Sequence, residues 1–149
     1  MPDPVTVSVE VARPRQEVFD FVAAIANHED FFKSLYKDWT FEGPRWGIGA
    51  TARAQVDAPS ARERVVFKVT ESEAPERIVE EVESAHGKRE TRNTYRFTEL
   101  DAGRTRVEFE LAWMKVPRTE RIAPIVARAF MARAYGKAMK RLPGLLEKG

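Results

Sequence analysis

The residue types able to do chemistry in this chain are few, and most of them stand alone. There is no cysteine, and His28 and His86 are the only imidazoles. Disulfides, thiolate nucleophiles and zinc–thiolate sites are thereby excluded. Without an HxxxH or HxH pair a metal would have to be held mainly by carboxylates, so neither a metal nor another cofactor is expected. His28 stands in "NHED" at the start of a helical stretch and is expected at an exposed helix terminus; His86 lies in a glycine-containing turn and is expected to face water. Glu80 and Glu81 interrupt a strand, and one of them must point inward if the strand is regular, which makes it a candidate base. Serines, threonines and aspartates occur without a nucleophile elbow, triad spacing or phosphate-binding glycine loop, so covalent catalysis has no support and no catalytic residue is assigned.

Any such group must be positioned by the elements around it. Val5, Val7, Val9 and Val11 alternate with Thr6, Ser8 and Glu10, the period of a strand with one buried face. Pro14 ends that rhythm, and Val18, Phe19, Phe21, Val22 and Ile25 then recur at helical spacing. Asn27 to Lys37 reads as a second short helix or helical turn. Six further strands follow. Trp39 and Phe41 mark one, Ala52, Ala54 and Val56 the next, and Val65, Phe67 and Val69 a third; residues 76–84, 89–99 and 104–114 complete the set. Turn formers separate them at Gly43-Pro44, Asp57-Ala58-Pro59, His86-Gly87 and Asp101-Ala102-Gly103, short enough to make neighbours antiparallel. From about Thr119 to Glu147 the pattern is helical again, with a broad apolar face that includes Met131, Tyr135, Met139 and Leu142. Pro124 is expected at its first turn or at a kink, and Pro143 should distort its last turns.

With 149 residues, the chain is the size of one domain, expected to span residues 1–149. Seven antiparallel strands, two short helices after the first strand and one long C-terminal helix can bury their apolar faces most simply if a curved sheet grips that helix, an α+β helix-grip fold. The 25 basic residues are balanced by 23 acidic ones, a mixed solvated surface that argues against a nucleic-acid partner. No apolar run approaches the roughly 20 residues of a membrane span, and no signal-peptide pattern is evident at Met1 to Asp3, so a cytoplasmic protein without stable membrane insertion is expected.

The strand-to-helix step "ARPRQEVFDFV", "WGIGATARA" entering the third strand, "TESEAPERIVEE" across the fourth and fifth, and "YRFTELDAGRTRVEFEL" across the last hairpin, followed by the closing helix, resemble the START-like (SRPBCC) superfamily of polyketide cyclases/dehydrases and lipid-transport proteins, also called Bet v 1-like. The resemblance covers nearly the whole chain. It implies a cavity between sheet and long helix that takes a hydrophobic molecule, lipid-like or polyketide-like. Some members cyclise or dehydrate polyketides, others carry lipids or hormones, and some assist chaperones; the superfamily has no shared catalytic residue to carry over. Trp46-Gly47-Ile48-Gly49 is too short and bulky to match the glycine-rich loop of the plant pathogenesis-related members.

Parity selects the lining of such a cavity. Val107, Phe109, Leu111 and Trp113 in the last strand, and Asn93, Tyr95 and Phe97 in the one before it, should point toward the helix, while Ala52, Ala54 and Val56 of the third strand, being small, leave volume unfilled. Asn93, a polar amide on an apolar face, could orient a ligand carbonyl or hydroxyl. Arg128 falls at the margin of the helix's apolar face, where the resemblance places the cavity opening, and could pair with a ligand carboxylate or instead with Glu120. The ligand-binding set expected is thus Asn93, Tyr95, Trp113, Arg128, Met131 and Tyr135, with Trp46 and Tyr36 at the mouth. Val126 and Phe130 sit on the helix's polar side and should pack against the small helices or mark a homodimer contact. The basic run "GKRETRNTYR" is read as a solvated face. Binding of a small hydrophobic ligand is the function expected. A metal-free polyketide cyclase or aromatase using acid–base chemistry, and a chaperone-activator-like interaction module, are the alternatives; turnover is left open.

Overall fold

The computed structural model describes residues 1–57, 63–101 and 103–147. Ala58 and Pro59, expected in a turn, and Ala102, in another, lie outside them. Strand β1 (Val5–Val11) leads through Pro14 into helix α1 (Arg15–Ala23), a short 3-10 turn (Ile25–Asn27) and the single-turn helix α2 (His28–Phe31). Then come β2 (Tyr36–Glu42), β3 (Thr51–Val56), β4 (Arg64–Glu73), β5 (Arg77–Ser84), β6 (Arg89–Asp101) and β7 (Arg104–Lys115). The C-terminal segment is α3 (Arg118–Ile122), α4 (Pro124–Met139) and α5 (Arg141–Leu146). All seven strands form one open antiparallel sheet in the order β1-β7-β6-β5-β4-β3-β2. This is the helix-grip arrangement expected from the order of elements.

Two helical expectations are corrected. The second helix is shorter than residues 27–37, because Tyr36 already pairs with Val56 in the sheet. The C-terminal helix is broken in three. Ala123, which precedes a proline and is therefore disfavoured in the helical region, turns out of it at φ −124°, ψ 66°. Pro124 then begins α4, where its missing N–H costs nothing, and Pro143 sits in the first turn of α5 for the same reason.

The break decides where empty space is left. The second half of α4 lies close on the sheet: Tyr135, Ala138 and Met139 are buried, and Tyr135 stacks on Phe109 of β7 with ring centroids 4.8 Å apart. A methyl group placed on Gly136 would already touch Val7 of β1. The first half stands off, with Ile125, Val126 and Phe130 exposed. Beneath it the sheet presents cross-strand rows. One is Val69–Glu80–Asn93–Leu111–Val5, and the next on one side is Phe67–Val82–Thr91–Trp113. Side chains directly opposite each other across antiparallel strands share a face, so Glu80, Asn93 and Thr91 enter the interior together with their apolar neighbours. A bulge opposite β5, between Val69 and Glu71, lets Ile78, Val79 and Glu80 all be buried in succession.

The loop from Gly43 to Ala50 closes one end of the sheet by backbone bonds, Gly49 donating to the Val69 carbonyl at 2.9 Å and Ala50 to that of Gly47 at 3.1 Å. Gly43 is required there: its φ is +77°, and a Cβ would lie 2.7 Å from the Gly49 carbonyl oxygen.

Candidate functional site

Between the standing-off half of α4 and the sheet lies a partly open cavity of about 520 Å³. Its walls are mainly apolar: Val65, Val82 and Leu111 from the sheet, Leu35 and Val56 from the far edge, and Val126, Ala127, Phe130, Met131 and Ala134 from α4. Val126 and Phe130 thus belong to the mouth of the cavity, which corrects the expectation that they pack on the small helices. Exposure of side chains that also line a cavity is what an opening requires.

One end of the cavity is polar. Arg89, at the start of β6, directs its Nε to both oxygens of Glu120 (2.9 and 3.0 Å) and its Nη1 to Glu63 Oε1 (2.8 Å) and Ser84 Oγ (2.9 Å). Its Nη2 also donates to Glu120. Trp113 Nε1 donates to Glu120 Oε1 at 3.0 Å, and the Ala85 amide donates to Glu63 Oε1 at 2.9 Å. The second bond holds the left-handed Ala85-His86-Gly87 turn that leads into Arg89. Charge-assisted, bidentate contacts of this kind fix orientation as well as charge. The group is about one-fifth exposed at Arg89 and less at Glu120. Burial alone would lower the Arg89 pKa, but the carboxylates of Glu120 and Glu63 outweigh it and raise the value.

At the floor, Tyr36 and Tyr135 meet hydroxyl to hydroxyl at 3.0 Å. Burial pushes the Tyr36 phenol up, and it pushes Tyr135 well above its ordinary value with help from the Tyr36 hydroxyl and the charge of Glu80. Behind this pair is a buried acid–base group that does not line the cavity. His28 Nε2 and Glu80 Oε2 are 3.0 Å apart, and the Tyr95 hydroxyl donates to Glu80 Oε1 at 3.3 Å. Burial, and then Glu80, hold the Tyr95 phenol well above its usual range. His28 is only 1% exposed, not at a solvated helix end as expected: its single-turn helix is tucked under the sheet, where the rings of Phe31, Phe32, Phe67 and Tyr95 surround the imidazole. Of the two glutamates that interrupt β5, Glu80 is the inward one. Glu81 is exposed and faces Arg92. His86 is exposed, as expected.

Of the residues expected from sequence to form the site, Tyr36, Met131 and Tyr135 line the cavity. Asn93, Tyr95 and Trp113 are buried on the inward face but stand one step behind the lining. Asn93 Oδ1 accepts from Thr91, Tyr95 bonds to Glu80, and Trp113 to Glu120. Two stand elsewhere. Arg128 is exposed and donates to the carbonyls of Asp3 and Pro4 at 3.0 and 3.1 Å, tying α4 to the N-terminal segment instead of facing a ligand or Glu120. Trp46 is 63% exposed in the β2–β3 loop, away from the cavity.

Glu63, Ser84, Arg89, Thr91, Thr119 and Glu120 line the cavity and were not foreseen. The parity that turned Asn93 and Tyr95 inward also turns Thr91 and Arg89 inward, and Val65 and Phe67 imply the same of Glu63. That signal was masked by reading the basic run as a solvated face. Among the described residues, no group of three or more His, Cys, Asp or Glu side chains is placed to hold a metal ion.

The geometry can be set beside known proteins. The sequence profile of the family described as polyketide cyclase/dehydrase and lipid transport matches residues 4–147. No curated protein matches. Solved structures do: the Zhui aromatase/cyclase of a Streptomyces species is 17% identical with a TM-score of 0.77, covering 99% of this chain and 95% of that one. A START superfamily protein of Mycobacterium smegmatis is 16% identical with a TM-score of 0.75, covering 97% of each chain. A protein of Thermus thermophilus is 16% identical with a TM-score of 0.76, covering 98% of this chain and 99% of that one. At such identities the likeness is one of fold. A profile match over nearly the whole length is one of descent, and the chain belongs to the polyketide cyclase/dehydrase and lipid-transport family.

Proposed function

We propose that this protein binds a small, mainly apolar molecule in the cavity between α4 and the sheet. The observation that carries the reading is the cavity itself. At about 520 Å³ it falls within the roughly 300–1,000 Å³ typical of small-molecule sites, and it combines mainly aliphatic and aromatic walls with a few polar groups at one end. The family description, which joins cyclases with lipid carriers, is consistent with such a ligand. Tyr36, Met131 and Tyr135 contact it, Val126 and Phe130 flank its passage, Asn93 and Trp113 hold the polar lining in place from behind, and Tyr95 stands deeper, on Glu80. Binding is favoured over acid–base turnover because the one buried imidazole–carboxylate pair among the described residues lies behind the lining.

Native mass spectrometry of freshly purified protein, together with displacement of an environment-sensitive apolar dye, tests this. Retained small molecules or saturable dye binding are expected, and Ala134→Trp, which fills the cavity from α4, should abolish both while the far-ultraviolet circular dichroism is kept. Dye binding equal in wild type and Ala134→Trp would place the apolar site elsewhere and overturn the proposal.

A further inference from the structure

We infer that the ligand of this cavity carries a cationic, hydrogen-bond-donating head, an ammonium on an alkyl or aryl body, and that the site disfavours a carboxylate. The inference rests on the proposed function and adds the chemical class of the ligand. It begins with the charges on the lining. Among the described residues that line the cavity, the acids and the base are Glu63, Glu120 and Arg89, two carboxylates against one guanidinium. An apolar ligand drawn into this space brings its polar end against a cluster that, among the described residues, holds one carboxylate more than it has guanidinium groups.

The hydrogen-bond inventory points the same way. A guanidinium has five N–H donors in a fixed fork, and Arg89 commits four of them, its Nε–H and one Nη2 N–H to Glu120 and both of Nη1 to Glu63 and Ser84. Its carboxylate-binding edge is therefore occupied by the protein's own carboxylates. Glu63 takes its contacts, from Arg89 and from the Ala85 amide, through Oε1, and its Oε2 accepts no hydrogen bond from any described residue. What the cluster offers an incoming group is acceptor capacity, which an ammonium with three donors uses and a carboxylate cannot.

The remaining walls agree. Tyr36, Tyr135 and Phe130 place three aromatic rings on the same cavity, and cations are attracted to aromatic faces. Arg128, the arginine that the sequence pattern offered for a ligand carboxylate, is outside the cavity with its guanidinium on the carbonyls of Asp3 and Pro4.

The test is a matched series at neutral pH, low salt and submicellar concentration: decylamine, decanol and decanoate, each titrated by calorimetry and by displacement of the apolar dye. Decylamine should bind tightest and decanoate weakest, with the two separated by about tenfold or more in Kd and the gap shrinking as salt is added. Glu63→Gln should narrow the amine-to-carboxylate ratio by several-fold, and Glu120→Gln, which also relaxes Arg89, should narrow it further. Decanoate binding as well as or better than decylamine overturns the inference and leaves the apolar cavity standing. An unaltered ratio in folded Glu63→Gln also overturns it. If none of the three binds and the dye is not taken up, the reading of the cavity as an apolar ligand site falls first.

Discussion

Replacing His28 by leucine should be among the most damaging single changes available in this protein, although the histidine does not touch the cavity. His28 and Glu80 are 1% and 0% exposed and 3.0 Å apart. At that separation the imidazole and the carboxylate share a hydrogen bond in a site closed to water, and it offsets much of the cost of burying both polar groups. Removing only the imidazole forfeits the attraction and keeps the cost, because Glu80 would retain the Tyr95 hydroxyl as its one side-chain partner. Breaking a buried pair in this way costs about 3–5 kcal/mol. For a chain of this length that corresponds to a Tm drop of very roughly 6–20 °C.

The double variant His28→Leu/Glu80→Leu should lose less than either single one, since it removes the stranded carboxylate as well and the pocket of Phe31, Phe32 and Phe67 accepts an apolar side chain. Urea unfolding at neutral pH, followed by circular dichroism for the wild type, both single variants and the double, gives the coupling energy directly. If His28→Leu lies within about 1 kcal/mol of wild type and the two changes simply add, then the imidazole is not what makes Glu80 tolerable inside, and the reasoning fails.

Other consequences can be measured separately. Tyr36, Tyr95 and Tyr135 are all the tyrosines in the chain, and all three phenols are held above their ordinary value. In the unfolded chain they lose their protons near pH 10 while the folded protein keeps them, so stability is fully present below that pH and should fall as pH rises beyond it. The slope is up to about 1.4 kcal/mol per pH unit for each tyrosine; ultraviolet titration should show tyrosinate appearing only with unfolding, and a gradual appearance near pH 10 in the folded protein would contradict this. Gly43→Ala puts a Cβ 2.7 Å from the Gly49 carbonyl oxygen at a φ of +77° and should cost about 1–3 kcal/mol, read as a lower urea midpoint. Arg128→Ala should cost at most about 1 kcal/mol and leave dye affinity as it is; loss of binding would return Arg128 to the site.

Much of the architecture was legible because short-range patterns carry it. The alternation in Val5–Val11 and Val107–Trp113 sets strand and inward face together, since side chains on a strand have only two directions to choose from. The turns at His86-Gly87 and Gly43-Pro44 then leave antiparallel pairing as the simplest outcome. The same parity extended one and two pairs further would have brought Thr91 and Arg89 into the cavity. Composition suggested otherwise, because a basic run is usually solvated and nothing nearby in sequence announces its partners.

Those partners are 26 and 31 residues away, Glu63 on the approach to β4 and Glu120 on α3. An ion pair across such spans exists only after the sheet has formed and α3 has crossed its end. The choice between Glu80 and Glu81 rested on a bulge in the pairing with β4, which is a property of two strands and not of either one. The burial of His28 rested on where a single helical turn is pressed when the core closes. By itself, then, the sequence determined the strands, their faces and the order that makes a sheet grip a helix, because hydrophobic periodicity is local and its consequences are geometric. Which polar side chains are enclosed with the ligand space, and with what net charge, was decided only by the tertiary structure, because burial and electrostatic partnership are set by distances between segments that no single segment specifies.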